Sequence, residues 1–348
     1  VTDPMKGGVI NPISVYPFPN FKAEQTKSYE LGTNLRLFNN KINIDATVYL
    51  TDTYNQTFLS SMSPASGYSG FYVQAGKVRN KGIELSLGYN DQFGKVGYAT
   101  NLTYTANRNK IMKMVHDYKN PSDGSLFSIT ELTLQDKGGV YLREKDAIGD
   151  VYVKGILARG KDGKLIEEEG GYKVDRSQRI KIGSVNPDFS IGWRHNVTWN
   201  NITLDLLFNG RFGGIVTSST QAFLDDYGVS KDTYKARQNG GVWVNGTQYD
   251  AEKYYTTIGG EQLMAYYAYK ATNIRLQEAS LSYTLPGKWF GNVINRLTVS
   301  AIGRNLWMIY NKAPFDPEMT SSTGTYNRGD VFMPPSLRSV GFSVKIEL

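Results

Sequence analysis

The residue types able to do bond-making chemistry are few and scattered. His116 and His195 are the only histidines and stand far apart, and with no cysteine there is no thiolate nucleophile, disulfide framework or thiolate metal site. No nucleophile elbow, paired-carboxylate pattern or metal-binding histidine cluster occurs, so neither catalytic residues, nor a metal, nor a cofactor is expected, and the chain does not read as an enzyme. Asp162-Gly163-Lys164 with Glu167-Glu168-Glu169 has the acids of a hard-cation loop but not its alternating Asp/Asn ligands, and reads as a charged turn. Arg328-Gly329-Asp330 reads as a turn tripeptide, and the Asn-x-Thr triplets at Asn101, Asn196 and Asn201 fall inside strand-like runs. The richer chemistry is non-covalent. Between positions 227 and 269, Tyr227, Tyr234, Trp243, Tyr249, Tyr254, Tyr255, Tyr266 and Tyr267 are interleaved with Asn239, Asn245 and Gln248. Flat rings stack on apolar faces of sugars or peptides while amides fix orientation, so Tyr227, Trp243, Tyr249, Tyr254 and Tyr266 are the candidate substrate-binding residues. The alternative is a tyrosine-rich loop packed on itself or docked on a partner.

Such a loop needs a scaffold. The 348 residues suffice for two soluble domains or one large all-β unit, and 36 Gly, 24 Tyr, 15 Phe and 5 Trp favour pleated strands and turns over helices. The formal charge of +7 comes from 39 basic and 32 acidic residues with no basic block to follow a phosphate backbone, so no nucleic-acid partner is expected. No apolar run reaches the length of a membrane-spanning helix, and mean hydropathy is −0.40. A β-barrel stays open, because its strands alternate apolar and polar residues. The opening Val1-Thr2-Asp3-Pro4-Met5-Lys6 lacks the basic and apolar regions of a signal peptide, so Val1 is not expected to begin the gene product.

Period-two alternation recurs along the chain. Tyr29, Leu31, Thr33, Leu35 and Leu37 share one face, Asn39-Asn40-Lys41 turns, and Ile42, Ile44, Ala46, Val48 and Leu50 continue beyond it. Ile83, Leu85, Leu87 and Tyr89 pair with Tyr98, Leu102 and Tyr104. Phe189, Ile191, Trp193 and Val197 pair across Asn200-Asn201 with Ile202, Leu204, Leu206 and Phe208. The run 271–285 pairs with 297–307 across Pro286-Gly287, and Val340, Phe342, Val344, Ile346 and Leu348 line a last strand.

Short turns at 39–41, 91–95, 200–201 and 286–295 alternate with long loops at 58–76, 110–186, 214–270 and 309–336. This is the arrangement of outer-membrane barrels, with short periplasmic turns and long outer loops. Most strands run about ten residues or more, the length a tilted strand needs to cross a bilayer. The reading is therefore an all-β, transmembrane antiparallel β-barrel in the outer membrane, nine strands with the C-terminus in the periplasm. Ile148 to Leu157 would be half of an extra hairpin in the 110–186 loop. The apolar faces would meet lipid, and Asn43, Asp45, Thr47, Glu84, Thr203, Asp205, Lys345 and Glu347 would line a wet lumen. Trp199, Trp289 and Trp307 fall at strand ends, where an interfacial girdle belongs.

Several blocks carry a family resemblance. Lys22-Ala23-Glu24-Gln25-Thr26-Lys27-Ser28-Tyr29-Glu30-Leu31-Gly32 resembles the start of a mid-barrel strand in SusC-like (SusC/RagA) TonB-dependent transporters of the Bacteroidetes. In order, Val78-Arg79-Asn80-Lys81-Gly82-Ile83-Glu84-Leu85, Gly183-Ser184-Val185-Asn186-Pro187-Asp188-Phe189, Asn273-Ile274-Arg275-Leu276 through Ser282-Tyr283-Thr284-Leu285-Pro286, Gly303-Arg304-Asn305-Leu306-Trp307 and Phe315-Asp316-Pro317-Glu318 are similar to further blocks of that family. The blocks span about residues 22 to 348. The resemblance implies the last 9–11 strands of a 22-stranded barrel, with 1–348 forming its C-terminal part. A plug domain and earlier strands would be supplied from outside this chain. It also implies import of glycans or peptides, a SusD-like surface lipoprotein over the outer loops, and TonB acting through the plug. Leu348 departs from the terminal aromatic common in such barrels. The competing reading is a secreted β-sandwich that binds carbohydrate through the same rings; an outer-membrane hydrolase lacks a catalytic set.

Overall fold

The computed structural model describes residues 15–16, 21–61, 68, 70–119, 124–134, 140–291, 293–321 and 329–347. The Val1 to Lys6 opening, Arg328 and the terminal Leu348 lie outside the described residues, as do parts of all the long connections except 214–270.

Nine long strands follow the alternating runs: β1 Gln25–Leu37, β2 Ile42–Ser61, β3 Gly70–Phe93, β4 Val96–Lys113, β5 Phe189–Trp199, β6 Ile202–Phe212, β7 Asn273–Pro286, β8 Arg296–Asn311 and β9 Ser339–Glu347. Each pairs antiparallel with the next, giving a meander from β1 to β9, with Val15–Tyr16 added parallel to Gly70–Phe71. The tight turns use residues that tolerate left-handed backbone: Asn39 and Asn40 (φ 54° and 66°), Gly94 (φ 61°) and Asn200 (φ 51°). The fourth short connection contains a one-turn helix, Gly287–Phe290.

Two strands run further than the alternation suggested. β2 has 20 residues and β3 has 24, so most of the expected 58–76 loop is strand. The reason is a local core. Phe58 of β2 and Val73 and Val78 of β3, with Ile111 of β4 and Met114 just beyond it, bury themselves against Leu132, Leu134, Leu142 and Ile148 of the following connection. That connection also holds the extra hairpin expected at Ile148 to Leu157: Asp150–Leu157 pairs with Val174–Ser184.

The wall is a single layer. On one face Leu31 is 74% exposed and Phe342 82% exposed, and no second sheet covers them among the described residues. A soluble sandwich would bury that face, so the sandwich reading fails. The apolar band has a sharp edge. Ile42, Ile44, Ala46, Val48 and Leu50 give way along β2 to Asp52. Asp52 lies in register with Lys27 and Arg79, and Arg79 with Lys110. Nine residues of tilted strand span about 20–25 Å, matching the apolar belt of an outer-membrane barrel. His195 falls inside this belt, where its ring stacks on Tyr98 and Nδ1 shares a 2.9 Å hydrogen bond with the Tyr98 hydroxyl. Trp199, Trp289 and Trp307 are each more than half exposed, but only Trp199 ends a strand: Trp289 lies in the one-turn helix and Trp307 inside β8.

The opposite face is polar and tied by side chains across strands. Arg194 Nε donates to both Asp205 oxygens (3.1 and 3.0 Å), Arg304 Nε donates to Glu278 (2.8 Å), and Asn34 donates to Asp45. Cross-strand pairs of this kind hold the polar face without a hydrophobic core. Among the described residues β1 and β9 are each paired on one side only, leaving an open sheet.

Candidate ligand-binding cap and inner wall

The connection between β6 and β7 is not an irregular loop. Strand Ile215–Ser218 pairs with Ala268–Lys270, and between them lie α1 Ser219–Asp226, α2 Lys231–Gln238 and α3 Ala251–Gly260, with a small hairpin of Val242–Val244 and Thr247–Tyr249. The caps that start these helices are visible in the sequence. Ser218 accepts from the amide of Gln221 (2.9 Å), Ser230 from Thr233 (3.0 Å) and Asp250 from Lys253 (2.8 Å). α1 and α3 cross where Gly259 has no side chain: a Cβ there would lie 2.5 Å from the Ala222 carbonyl oxygen.

The five candidate aromatics divide into two groups. Tyr249 and Tyr254 are buried (7% and 9% exposed) in a cluster with Leu157, Leu165, Tyr172, Ile258 and Leu263, and Tyr266 packs against it. Tyrosine hydroxyls accept backbone N–H groups of the Asp150–Ser184 hairpin region, Leu165 to Tyr249 and Leu157 to Tyr266, both at 3.0 Å. A further bond runs from the Tyr172 amide to Thr257 Oγ1 (3.0 Å). These rings join the hairpin to the helices. Tyr227 (76% exposed) and Trp243 (63%) instead present their faces to solvent, as does Tyr234, and Phe223 stacks on Phe332 with centroids 5.4 Å apart.

Burial sets the cap's titration. The Asp225 carboxyl is pushed up by burial, against the opposing pull of bonds that include Gln221 Nε2 at 2.9 Å. Burial pushes the Tyr255 hydroxyl up to about 12 and the Tyr254 hydroxyl higher still.

The β8–β9 connection forms a strap. Its Phe315-Asp316-Pro317-Glu318 block meets the Asn273-Ile274-Arg275-Leu276 block of β7, a pairing no sequence spacing announces. Arg275 donates to both Asp316 oxygens (2.8 and 3.3 Å) and through Nε and NH2 to Asn273 Oδ1 (3.1 and 3.0 Å), with Glu318 3.7 Å away. Ser336 Oγ donates to Asp316 (2.5 Å), as does the Glu318 amide (3.0 Å). Burial pushes the Asp316 carboxyl up, but the bonds from Arg275, Ser336 and the Glu318 amide outweigh it and hold the carboxyl below its usual value. Further along, Gly329–Asp330 runs parallel to Thr217–Ser218, and Ser218 Oγ donates to buried Asp330 at 2.7 Å. The Asp of the Arg-Gly-Asp tripeptide is thus an internal tie.

Beneath the strap lies a polar cavity of about 450 Å³. Thr103, Thr105, Ser190, Asn209 and Arg211 of the wall line one side, and Glu318 and Thr320 of the strap the other. Asp162 accepts from the Lys164 amide (3.1 Å) in a turn, and no group of three metal-ligating side chains forms among the described residues.

A lipid-banded, single-layer antiparallel wall with a polar inner face and folded connections at one end defines an outer-membrane β-barrel. The chain belongs to the family described as TonB dependent receptor-like, beta-barrel, whose model matches residues 6–206. This is a receptor family, not an enzyme family. Two curated relatives from Formosa agariphila are TonB-dependent receptor P3, 24% identical over 340 residues and covering 91% of this chain, and TonB-dependent receptor P39, 21% identical over 360 residues and covering 89%. The chain spans about a third of their length (33% and 34%). Among solved structures, the RagAB peptide importer in its closed-closed state superposes with a TM-score of 0.69 at 18% identity, over 93% of this chain and 35% of that one. The open-open state gives 0.69 over 95% and 35%.

Proposed function

We propose that this chain is the C-terminal wall and cap of a SusC-like, TonB-dependent importer that carries oligomeric nutrients, glycans or peptides, across the outer membrane. The observation that carries the reading is the combination of a lipid-facing wall with a large folded cap at one end only. In this reading the long connections face outward and the tight turns face the periplasm. A SusD-like surface lipoprotein sits over the cap, and TonB pulls on a plug supplied by sequence beyond this chain. The motif blocks from Lys22 to Glu318 support the SusC-like assignment, and the RagAB structures, named as a peptide importer, support an oligomeric cargo.

Within the cap, Tyr227 and Trp243 are the contact residues, because exposed rings are available to stack on cargo. Tyr249, Tyr254 and Tyr266 contribute by holding the shelf on which those rings sit. Uptake by cells carrying the full-length protein tests the reading. Import of the cognate oligomer should stop when TonB is deleted and fall when Trp243→Ala and Tyr227→Ala are combined. Uptake that persists without TonB would overturn it.

A further inference from the structure

We infer that the outer rim of β1 to β4, on the face turned to lipid, is a binding site for the phosphorylated headgroup of a lipid in the surrounding outer leaflet. The inference rests on the outward orientation of the long connections in the import reading and adds a ligand that reading does not use.

The charges stand on the lipid side of the wall. Lys27, Asp52, Arg79 and Lys110 lie side by side on β1, β2, β3 and β4, and the next row towards the belt is Tyr29, Leu50, Lys81 and Arg108. One row further in are Leu31, Val48 and Ile83, all exposed on the same face. Much of this charge is uncommitted. Asp52 accepts from Arg79 Nε and NH2 (2.7 and 2.8 Å) and pairs with Lys77 Nζ (2.7 Å), so these three groups close on one another with one positive charge in excess. Lys27, Lys81 and Lys110 are exposed and form no ion pair among the described residues. Arg108 meets Asp188 at 2.8 Å, with both side chains more than half exposed.

An ammonium at the edge of the hydrocarbon is costly until an anion meets it, and a phosphate offers acceptor oxygens to several cations at once. Strands about 4.8 Å apart and rows about 7 Å apart spread Lys27, Lys81 and Lys110 over about 15 Å, room for more than one phosphate. The apolar row directly beneath gives acyl chains a surface, which a free phosphate ion would not use, and this commits the site to a lipid. The cluster is local. On the same face the loop ends of β5 to β8 carry Phe189, Phe212, Ile274 and Tyr310 instead.

The test uses the full-length protein in a non-ionic detergent, read by native mass spectrometry with three probes: diphosphoryl lipid A, the same lipid stripped of its phosphates, and inorganic phosphate. Diphosphoryl lipid A should be retained, about a hundredfold more weakly by the triple variant Lys27→Gln, Lys81→Gln, Lys110→Gln. The stripped lipid should bind no better than the intact lipid binds to that variant, and millimolar inorganic phosphate should not displace the intact lipid. Lys161→Gln with Lys164→Gln, on the outer hairpin, should leave retention unchanged, and heat-modifiable migration confirms that each variant is folded. Equal retention by the triple variant, equal retention of the stripped lipid, displacement by inorganic phosphate, or an equal loss in the hairpin variant would each overturn the inference. Orientation is read separately: an amine-reactive biotin that does not cross the outer membrane should label Lys161 and Lys164 on intact cells and spare Lys41 and Lys95 at the tight turns. The reverse pattern sinks the outward orientation and the inference with it, whereas the expected pattern without lipid retention overturns the inference alone.

Discussion

Removal of the strap's anchor is the most informative single perturbation. Arg275 and Asp316 side chains are 7% and 8% exposed, and the guanidinium fork is filled by Asp316 and Asn273. Asp316→Ala leaves a buried positive charge whose nearest acidic neighbour is Glu318 at 3.7 Å. Truncating one partner of a buried ion pair costs about 3–5 kcal/mol, and partial compensation by Glu318 puts this case near the lower end. About 3 kcal/mol corresponds to a roughly hundredfold or greater rise in local opening. The wall keeps its ladder and the strap keeps its second tie at Ser218–Asp330, so the effect should stay local. Hydrogen exchange of the full-length protein in micelles, read on peptides covering 312–321, should therefore accelerate about a hundredfold while β5 and β6 are unchanged. Arg275→Lys should produce much of the same effect, because an ammonium cannot reproduce the fork. Exchange within threefold of the parent, or acceleration spread evenly over the wall, would refute the reasoning. Acid gives the same readout: a carboxyl held below 3.8 stabilises the strap above that value, and this is lost as pH falls through the folded value.

Further outcomes test other parts of the molecule. Asp225 is raised by burial, so its contribution to the cap is full below the usual carboxylate range and declines as pH rises through its folded value; Asp225→Asn should flatten that dependence in protease protection of 219–260. Phe342→Arg on the lipid face should cost about 2–4 kcal/mol and reduce the heat-modifiable fraction, whereas Ser343→Arg on the opposite face should not. Tyr254→Ala should loosen the cap by about 3 kcal/mol in thermal unfolding or protease protection, while Trp243→Ala leaves its stability within about 0.5 kcal/mol.

The wall was legible because its signal is local. Alternation at Tyr29 to Leu37 and at Ile202 to Phe208, with Asn at the turns, demands a strand whatever surrounds it. The β2 and β3 extensions were hidden because Phe58 and Val73 are strand residues only by virtue of a core shared with Leu132 and Leu142, far along the chain. The helices of the cap had readable caps at Ser218, Ser230 and Asp250, but at 8 to 10 residues they are too short for apolar periodicity to mark them. Burial separated Tyr249 and Tyr254 from Trp243, and burial depends on the distant hairpin at Asp150–Ser184. Arg275 and Asp316 were visible only as members of two separate motifs.

The overlength strands carry a mechanical consequence. At about 3.3 Å per residue and a tilt near 40°, the 24 residues of β3 rise about 60 Å, while the apolar belt needs only about 25 Å. Some 30 Å of hydrogen-bonded ribbon therefore stands clear of the hydrocarbon as a stiff mast. A load placed on its crown passes down the β2–β3 ladder, which misses the Asn55–Gly76 step, into the wall instead of being absorbed by slack chain. Anything that docks there is held at a fixed height above the lipid.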